Sequence, residues 1–417
     1  MIHMSTNKSN KPELRFKGFS DDWEQRKFSD LVQIERGGSP RPIDDFITDA
    51  PNGLNWVKIG DTPTQGNYIT KTTEKIRPEG LPKTREVHPG DLILSNSMSF
   101  GKPYIMGIDG CIHDGWLLIR NIYGVFDLTF LCHLLGTSQM LSQYRSLAAG
   151  STVNNLNKEL VGNTVVTIPS ITEQRLLGDY LEQLDNLITL HQSKCDNLKI
   201  IKNSMLDNLF PKNGEKVPKW RFKGFNDDWE QRKLNEYLEV SRAKNKDEVF
   251  GKEDVLSVSG DYGIVNQIEF QGRSFAGVSV APYGVVETGD VVYTKSPLKS
   301  NPYGIIKTNK GKPGIVSTLY AVYKPQDNVY SEFVQIYFEQ DARMNNYMHP
   351  LVNKGAKNDM KVSDENALKG EVCFPNRDEQ IKISEYFAKL DHLITLHQSE
   401  VDRLKKVKQF FLKNLFV

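Results

Sequence analysis

The sequence predicts an α+β fold built from two repeated modules. Each module is a globular, strand-rich part followed by a long helix. The two helices are expected to pair as an antiparallel coiled coil with internal pseudo-twofold symmetry. Three observations predict this. Residues 15–28 read RFKGFSDDWEQRKF and residues 221–234 read RFKGFNDDWEQRKL. Residues 184–198 read LDNLITLHQSKCDNL and residues 390–404 read LDHLITLHQSEVDRL, at the same offset of 206 residues. The stretches between, about 35–165 and 240–370, scarcely resemble each other. One scaffold therefore carries two different middles, which suits a protein that reads two different things held at a fixed separation.

Each module opens on its RFKGF-DDWE segment, where Phe16, Phe19 and Trp23, and in the second copy Phe222, Phe225 and Trp229, are expected to pin the chain to the domain. Short apolar runs come next, each bounded by Gly or Pro as strand–turn alternation requires. They are LNWVKIG (54–60), GDLILSN (90–96) and GWLLIRN (115–121), then VLSVSG (255–260), GDVVYTK (289–295) and GIVSTLYAVY (314–323). A helix is expected over 127–147 and again over 331–347, with Asp127 and Ser331 as N-caps. A polar, Gly-containing loop succeeds it (150–159; 353–361), then a strand ended by Pro169 or Pro375, with Thr172 or Asp378 capping the next helix.

That next helix spans about 38 residues, or about 57 Å. Its apolar positions step by four and three: Leu177, Leu181, Leu184, Ile188, His191, Cys195, Leu198, Lys202, Met205 and Leu209. The second copy reads Ile383, Phe387, Leu390, Ile394, His397, Val401, Leu404, Lys408, Phe411 and Leu415. This is a coiled-coil seam whose His and Lys interruptions fall at matched places, where polar residues fix register at a cost in stability. Neither seam is satisfied alone in water. The short linker favours antiparallel pairing, with the globular parts at opposite ends; parallel pairing, with both at one end, is the alternative. The expected boundaries are a tail over 1–12, a globular domain over 13–169, a helix over 170–212, a linker over 213–219, a second globular domain over 220–375 and a second helix over 376–417.

Composition is that of a soluble globular protein, with 38% hydrophobic and 25% charged residues and a net charge of +1. No run of about 20 apolar residues would span a membrane. The opening MIHMSTNKSNK lacks the apolar stretch of a secretion signal and reads as a basic tail. Cys111, Cys132, Cys195 and Cys373 show no CxxC spacing, so neither a zinc site nor a disulfide framework is expected and a cytoplasmic location fits. Residues 291–326 hold Lys295, Lys299, Lys307, Lys310, Lys312 and Lys324 and no acid, either a solvated loop face or a basic binding face.

Catalytic signatures are missing. There is no GxGxxG after a strand, no GxxxxGK[ST], no HEXXH and no GxSxG. Ser300-Asn301-Pro302-Tyr303 resembles the Asn-Pro-Pro-aromatic motif of adenine methyltransferases but lacks the second proline. His113–Asp114 reads as a loop pair beside an aromatic strand, and His191 and His397 as register residues.

The whole chain resembles the specificity subunit of a type I restriction–modification system. The resemblance rests on the duplicated layout, the PxLRFxGFxDDWExxxL opening (Pro12–Leu31; Pro218–Leu238), the hinge at Ile168–Gln174 and Phe374–Gln380, and the LDxLIxLHQ helix. It implies that each globular part is a target recognition domain reading one half of a bipartite site on double-stranded DNA, and that the helices are a ruler for the gap. It implies further that two modification subunits, which methylate adenine N6, dock on this scaffold and that restriction subunits join them. Adenosylmethionine, ATP and Mg are then expected on those partners, with no cofactor and no catalytic activity in this chain. Major-groove readers on one face of B-DNA sit about 34 Å apart per turn, a span such helices can support. Two diverged middles imply an asymmetric target. A stand-alone DNA-binding or decoy protein of the same fold is the alternative; a coiled-coil scaffold without nucleic acid has little need of two different faces.

Lys and Arg hold phosphates, and polar loop side chains read base edges. The DNA-contact candidates in module one are Arg36, Ser39 and Arg41 in the Gly-Gly-Ser-Pro-Arg loop, Lys58, Asn96 and Ser97 after the Gly-Asp strand, and Ser151, Thr152, Asn154 and Asn155. In module two they are Arg242, Lys244, Lys295, Ser296, Lys299, Lys354, Lys357 and Asn358.

Overall fold

Two hydrogen-bonded ties, an Arg–Glu pair and a glutamine, repeated 206 residues apart, hold each module to its long helix. The computed structural model describes residues 10–96, 100–148, 155–212, 214–298, 301–354 and 360–417, with backbone alone at 353–354 and 360–361. It divides into two compact units, Met1–Cys195 with Leu396–Val417, and Asp196–Thr395. Each unit thus holds part of both long helices, Ile171–Asn208 and Arg377–Asn414.

In the first unit the strand Glu24–Lys27 pairs antiparallel with Val165–Ile168, closing the module on itself. Between them lies a five-stranded sheet in the order Gln33–Arg36, Trp116–Arg120, Leu92–Ser95, Pro103–Met106, Tyr68–Ile69. A four-stranded sheet of Glu74–Ile76, Leu54–Val57, Gly110–Ile112 and Arg85–Val87 adjoins it in the chain. The core joins Trp23, Phe28, Leu92, Leu94, Leu117 and Phe130 to Leu177, Leu181, Leu184 and Ile188 of the first long helix and Val401 and Leu404 of the second. The second unit repeats the frame: Glu230–Lys233 pairs with Glu371–Phe374, and a four-stranded sheet runs Leu238–Val240, Ala321–Pro325, Val291–Tyr293, Ile306–Thr308. Its core joins Trp229, Leu234 and Phe333 to Ile383, Phe387 and Leu390.

The repeated motifs acquire physical roles. Arg15 of the opening donates twice to Glu173, at 2.7 and 2.8 Å, and Arg221 donates twice to Glu379, at 2.8 and 2.7 Å. Both glutamate side chains are 1% exposed, so each buried carboxylate depends on its bidentate guanidinium. The neighbouring glutamine does the rest. Gln174 accepts from the Asp127 N–H and donates to the carbonyls of Val125 and Pro169, and Gln380 does the same with Tyr330, Asn328 and Pro375. The Gly-Asp pairs are also alike. Gly90 and Gly289 have φ of 92° and 93°, so the turn admits glycine, and Asp91 and Asp290 accept the N–H three residues back.

The long helices run antiparallel, which excludes the parallel alternative. In the first unit Tyr180 meets Phe411, Asp185 meets Lys408 and His191 meets His397, so one number rises as the other falls. In the second unit Lys202 meets Asp391 and Phe210 meets Phe387. Of the seam positions, Leu177, Leu181, Leu184, Ile188, Cys195, Ile383, Phe387, Leu390, Val401 and Leu404 are buried, while His191, Leu198, Ile394 and His397 are half-buried.

Several local expectations need correction. The helix expected over 127–147 is two, Leu128–Leu135 and Ser138–Ala148, because Gly136 ends the first and the Thr137 hydroxyl accepts from Met140 N–H to start the next. The one expected over 331–347 is likewise split into Ser331–Tyr337 and Asp341–Met348, and Tyr330 occupies the N-cap in place of Ser331. The long helices are capped two residues earlier than expected, by Ser170 and Asn376, whose side chains accept the N–H of Glu173 and Glu379. The run 314–323 is two strands, Gly314–Val316 and Ala321–Pro325, separated by a turn in which Tyr320 N–H reaches Ser317 O.

Candidate nucleic-acid interface

In the first unit five sequence candidates converge on the turn His113–Asp114. The strand Gln33–Arg36 delivers Gly37, whose N–H reaches Trp116 O at 2.9 Å. A Cβ on Gly37 would lie 2.0 Å from His113 O, so only glycine lets the following loop lie this close. Ser39 Oγ then donates to Asp114 Oδ1 at 3.0 Å, and Arg41 reaches Asp114 Oδ2 at 3.5 Å. Buried Asn96 donates to Asp114 O at 2.8 Å. Lys58 pairs with Glu74, and exposed Arg36 adds its charge from the strand end. Burial raises the Asp114 carboxyl, but the Ser39 hydrogen bond, with the charge of Arg36 adding to it, holds it below its usual range.

Ser39, Arg41, Lys58, His113 and Asp114 border a cleft of about 1360 Å³ whose apolar lining includes Pro40, Pro42, Ile43 and Ile47. Arg41 is 82% exposed at its rim and only loosely tied, so it is free to turn to a phosphate. The nearness of Ser39, His113 and Asp114 is not a catalytic triad. Ser39 bonds to Asp114, while His113 Nδ1 accepts from Gly115 N–H at 2.7 Å and the Ile59 N–H points at Nε2 over 3.3 Å. The imidazole is thus engaged by backbone amides, and burial lowers its pKa, opposed by Asp114. Hydrogen-bond donors and cations over an apolar wall suit recognition, not proton transfer.

The second unit is organised differently. Lys295 occupies the place of Asn96 after the Gly-Asp strand, in the left-handed region at φ 49°, and its ammonium meets Asp364 at 2.8 Å. Ser296 beside it is half-buried, and Arg242 and Lys244 are exposed. Among the described residues no hydrogen bond or ion pair joins Arg242 or Lys244 to Lys295 or Ser296. Asn155 is exposed at the foot of its loop. Ser97, Ser151, Thr152, Asn154, Lys299, Lys357 and Asn358 lie outside the described residues. Lys354, described by its backbone, pairs with Met360 in a two-residue ladder.

Most of the described lysines of the acid-free stretch 291–326 are not free: Lys295, Lys310 and Lys324 are paired with Asp364, Glu332 and Asp290, and Lys307 is buried, while Lys312 is exposed. Acids outside the stretch neutralise those three. The anchoring residues Arg15, Glu173, Arg221 and Glu379 escaped prediction as a pair, although their identical spacing in both repeats was the available signal. Among the described residues no group of three or more His, Cys, Asp or Glu is placed to hold a metal ion, and no helix is long and apolar enough to cross a membrane.

Residues 20–199 match the family described as type I restriction modification DNA specificity domain. The chain is similar to the type I restriction enzyme MjaVIII specificity subunit of Methanocaldococcus jannaschii, 21% identical over 411 residues that cover 93% of this chain and 91% of that protein. The crystal structure of the type I restriction–modification system S subunit from M. genitalium aligns with a TM-score of 0.63 at 15% identity, covering 98% of this chain and 99% of that one, and shares its fold.

Proposed function

We propose that this chain, a member of the family of type I restriction–modification specificity subunits, reads an asymmetric bipartite DNA site, one half with each globular domain. The paired helices set the gap between the halves and form the scaffold on which two adenine-N6 methyltransferase subunits dock, with restriction subunits joining through them in the cytoplasm. The methyltransferases would carry adenosylmethionine, and the restriction subunits ATP and Mg; the chain itself is a non-catalytic reader.

One observation carries this reading. The anchoring bonds beneath the two domains are the same, Arg15–Glu173 and Arg221–Glu379, while the faces above them differ, an Asn96–Asp114 turn in one and a Lys295–Asp364 pair in the other. A constant mount with two unlike faces suits two unlike half-sites. Docking has its own support. Leu187 and Leu190 of the first long helix, in the first unit, lie off the seam and stay 43% and 49% exposed, an apolar face a helical partner can cover.

The test is co-expression with the methyltransferase subunit in a methylation-free host, followed by single-molecule sequencing for N6-methyladenine. One asymmetric bipartite motif with a fixed gap is expected. A soluble complex without new methylation would favour the stand-alone binder or decoy.

A further inference from the structure

At the joint between each globular domain and the helices lies a small charge network, and its members occupy matched repeat positions. In the first unit Lys408 pairs with Asp185, which also accepts from Asn67 at 3.0 Å and lies 3.6 Å from His133 Nε2. In the second unit Lys202 pairs with Asp391 at 2.7 Å and Glu339 at 2.6 Å. Asp185 and Asp391 are repeats of each other, as are Lys408 and Lys202, and His133 and Glu339. In both networks the aspartate belongs to the helix that comes after the domain in sequence. The lysine comes from the helix of the other repeat.

The one substitution within this scheme is balanced. Glu339 adds a negative charge where His133 is neutral. Opposite Ile93 the first unit has buried Tyr104; opposite Val292, in the equivalent strand pair, the second unit has Lys307. Lys307 is 7% exposed, its side chain lines a cleft that Glu339 also borders, and no side-chain hydrogen bond or ion pair holds it among the described residues. A buried ammonium is unfavourable unless a charge offsets it, and Glu339 is the largest favourable influence on it. Two changes of opposite sign thus keep the second joint near neutral, which is expected of a network that must persist.

An apolar seam of Leu and Ile specifies register less sharply than a polar contact, which has one partner only. A partly buried ion pair resists sliding strongly, because a shift of a few ångströms leaves both charges unpaired. We propose that Lys408 with Asp185 and Lys202 with Asp391 are positioning residues that lock one long helix against the other where Asn67, His133 and Glu339 of the globular domains meet them, and that these two contacts hold the gap of the bipartite site to a single value. This rests on the function proposed above. A shift of about 3.4 Å corresponds to one base pair, so a loosened lock is read as methylation at neighbouring gaps.

The experiment compares the full chain with the Lys202→Met/Lys408→Met variant, each co-expressed with the methyltransferase subunit, and maps N6-methyladenine. If the unaltered chain yields no bipartite motif, the function proposed above fails, and this inference with it. If it yields one, the variant is expected to keep both half-sites and to raise methylation at gaps one base pair shorter or longer by about tenfold or more. The same single gap in the variant overturns the inference. If the variant loses methylation altogether, the chain with only the first joint charge-reversed (Asp185→Lys/Lys408→Asp), where no second carboxylate pairs with Lys408 among the described residues, decides. Recovery of the original gap supports the ion pairs as the lock, and failure to recover it overturns them.

Discussion

His191 and His397 face each other across the antiparallel helices of the first unit, Nδ1 to Nδ1 at 3.0 Å, and each is the other's repeat at a separation of 206 residues. A residue that touches its own repeat marks a local two-fold relation between the two helix segments. A polar pair there fixes register at a cost in stability. The variant His191→Leu/His397→Leu is expected to raise the thermal midpoint by a few degrees. Scanning calorimetry of the full chain checks this expectation, and a lowered midpoint would contradict it.

Glu173 and Glu379 should behave alike. Each is buried beneath a bidentate arginine, so Glu173→Ala or Glu379→Ala strands a guanidinium and is expected to cost about 3–5 kcal/mol. Chemical denaturation of the two variants, followed separately in each unit by hydrogen exchange, would expose any inequality.

His133 gives a pH dependence of known sign. Burial, followed by the charge of Lys408, lowers its pKa from 6.5 to about 3. Between those values the unfolded chain binds a proton that the folded chain does not, so this residue makes stability rise with pH, by up to about 1.4 kcal/mol per unit. The contribution is lost as pH falls from 6.5 towards 3. Replacement by Asn should shrink the difference in thermal midpoint between pH 5 and pH 7; an undiminished difference would assign the effect elsewhere.

Glu339 and Lys307 should be coupled. Glu339→His removes the acid that pairs with Lys202 and offsets the largely buried Lys307, and is expected to destabilise by about 1–3 kcal/mol. Adding Lys307→Tyr, which copies the first unit's Tyr104, should recover most of that loss. A double-mutant cycle with no coupling energy would refute the electrostatic link between them.

Arg41 is the exposed cation of the cleft. Arg41→Ala should weaken DNA binding and reduce the slope of log K against log salt by about 0.9, one phosphate contact. An unchanged slope removes Arg41 from the interface. Gly37→Ala should damage the same half-site by displacing the loop, seen as loss of protection at that half alone in footprinting.

Much of the fold is legible because its signals are local. The seam of Leu177, Leu181 and Leu184 reflects helical period, and the Gly90–Asp91 turn reflects glycine's access to positive φ. The helix breaks at Gly136–Thr137 and 338–340 were missed because apolar spacing continues across them, and a cap depends on one hydroxyl. The site was half legible. Ser39, Arg41 and Lys58 stood out as polar loop residues, but that they meet at Asp114 depends on a turn 75 residues from Ser39.

Amino-acid order alone settled the duplication, the two long helices, their seam and the divergence of the two middles, since repetition and periodicity need no partner. Tertiary packing decided the pairing direction, the neutralisation of Lys295, Lys310 and Lys324 and the joint networks at Asp185 and Asp391. Charge pairing depends on distances of a few ångströms between residues up to 223 positions apart, and no pattern along the chain encodes which acid a lysine will meet.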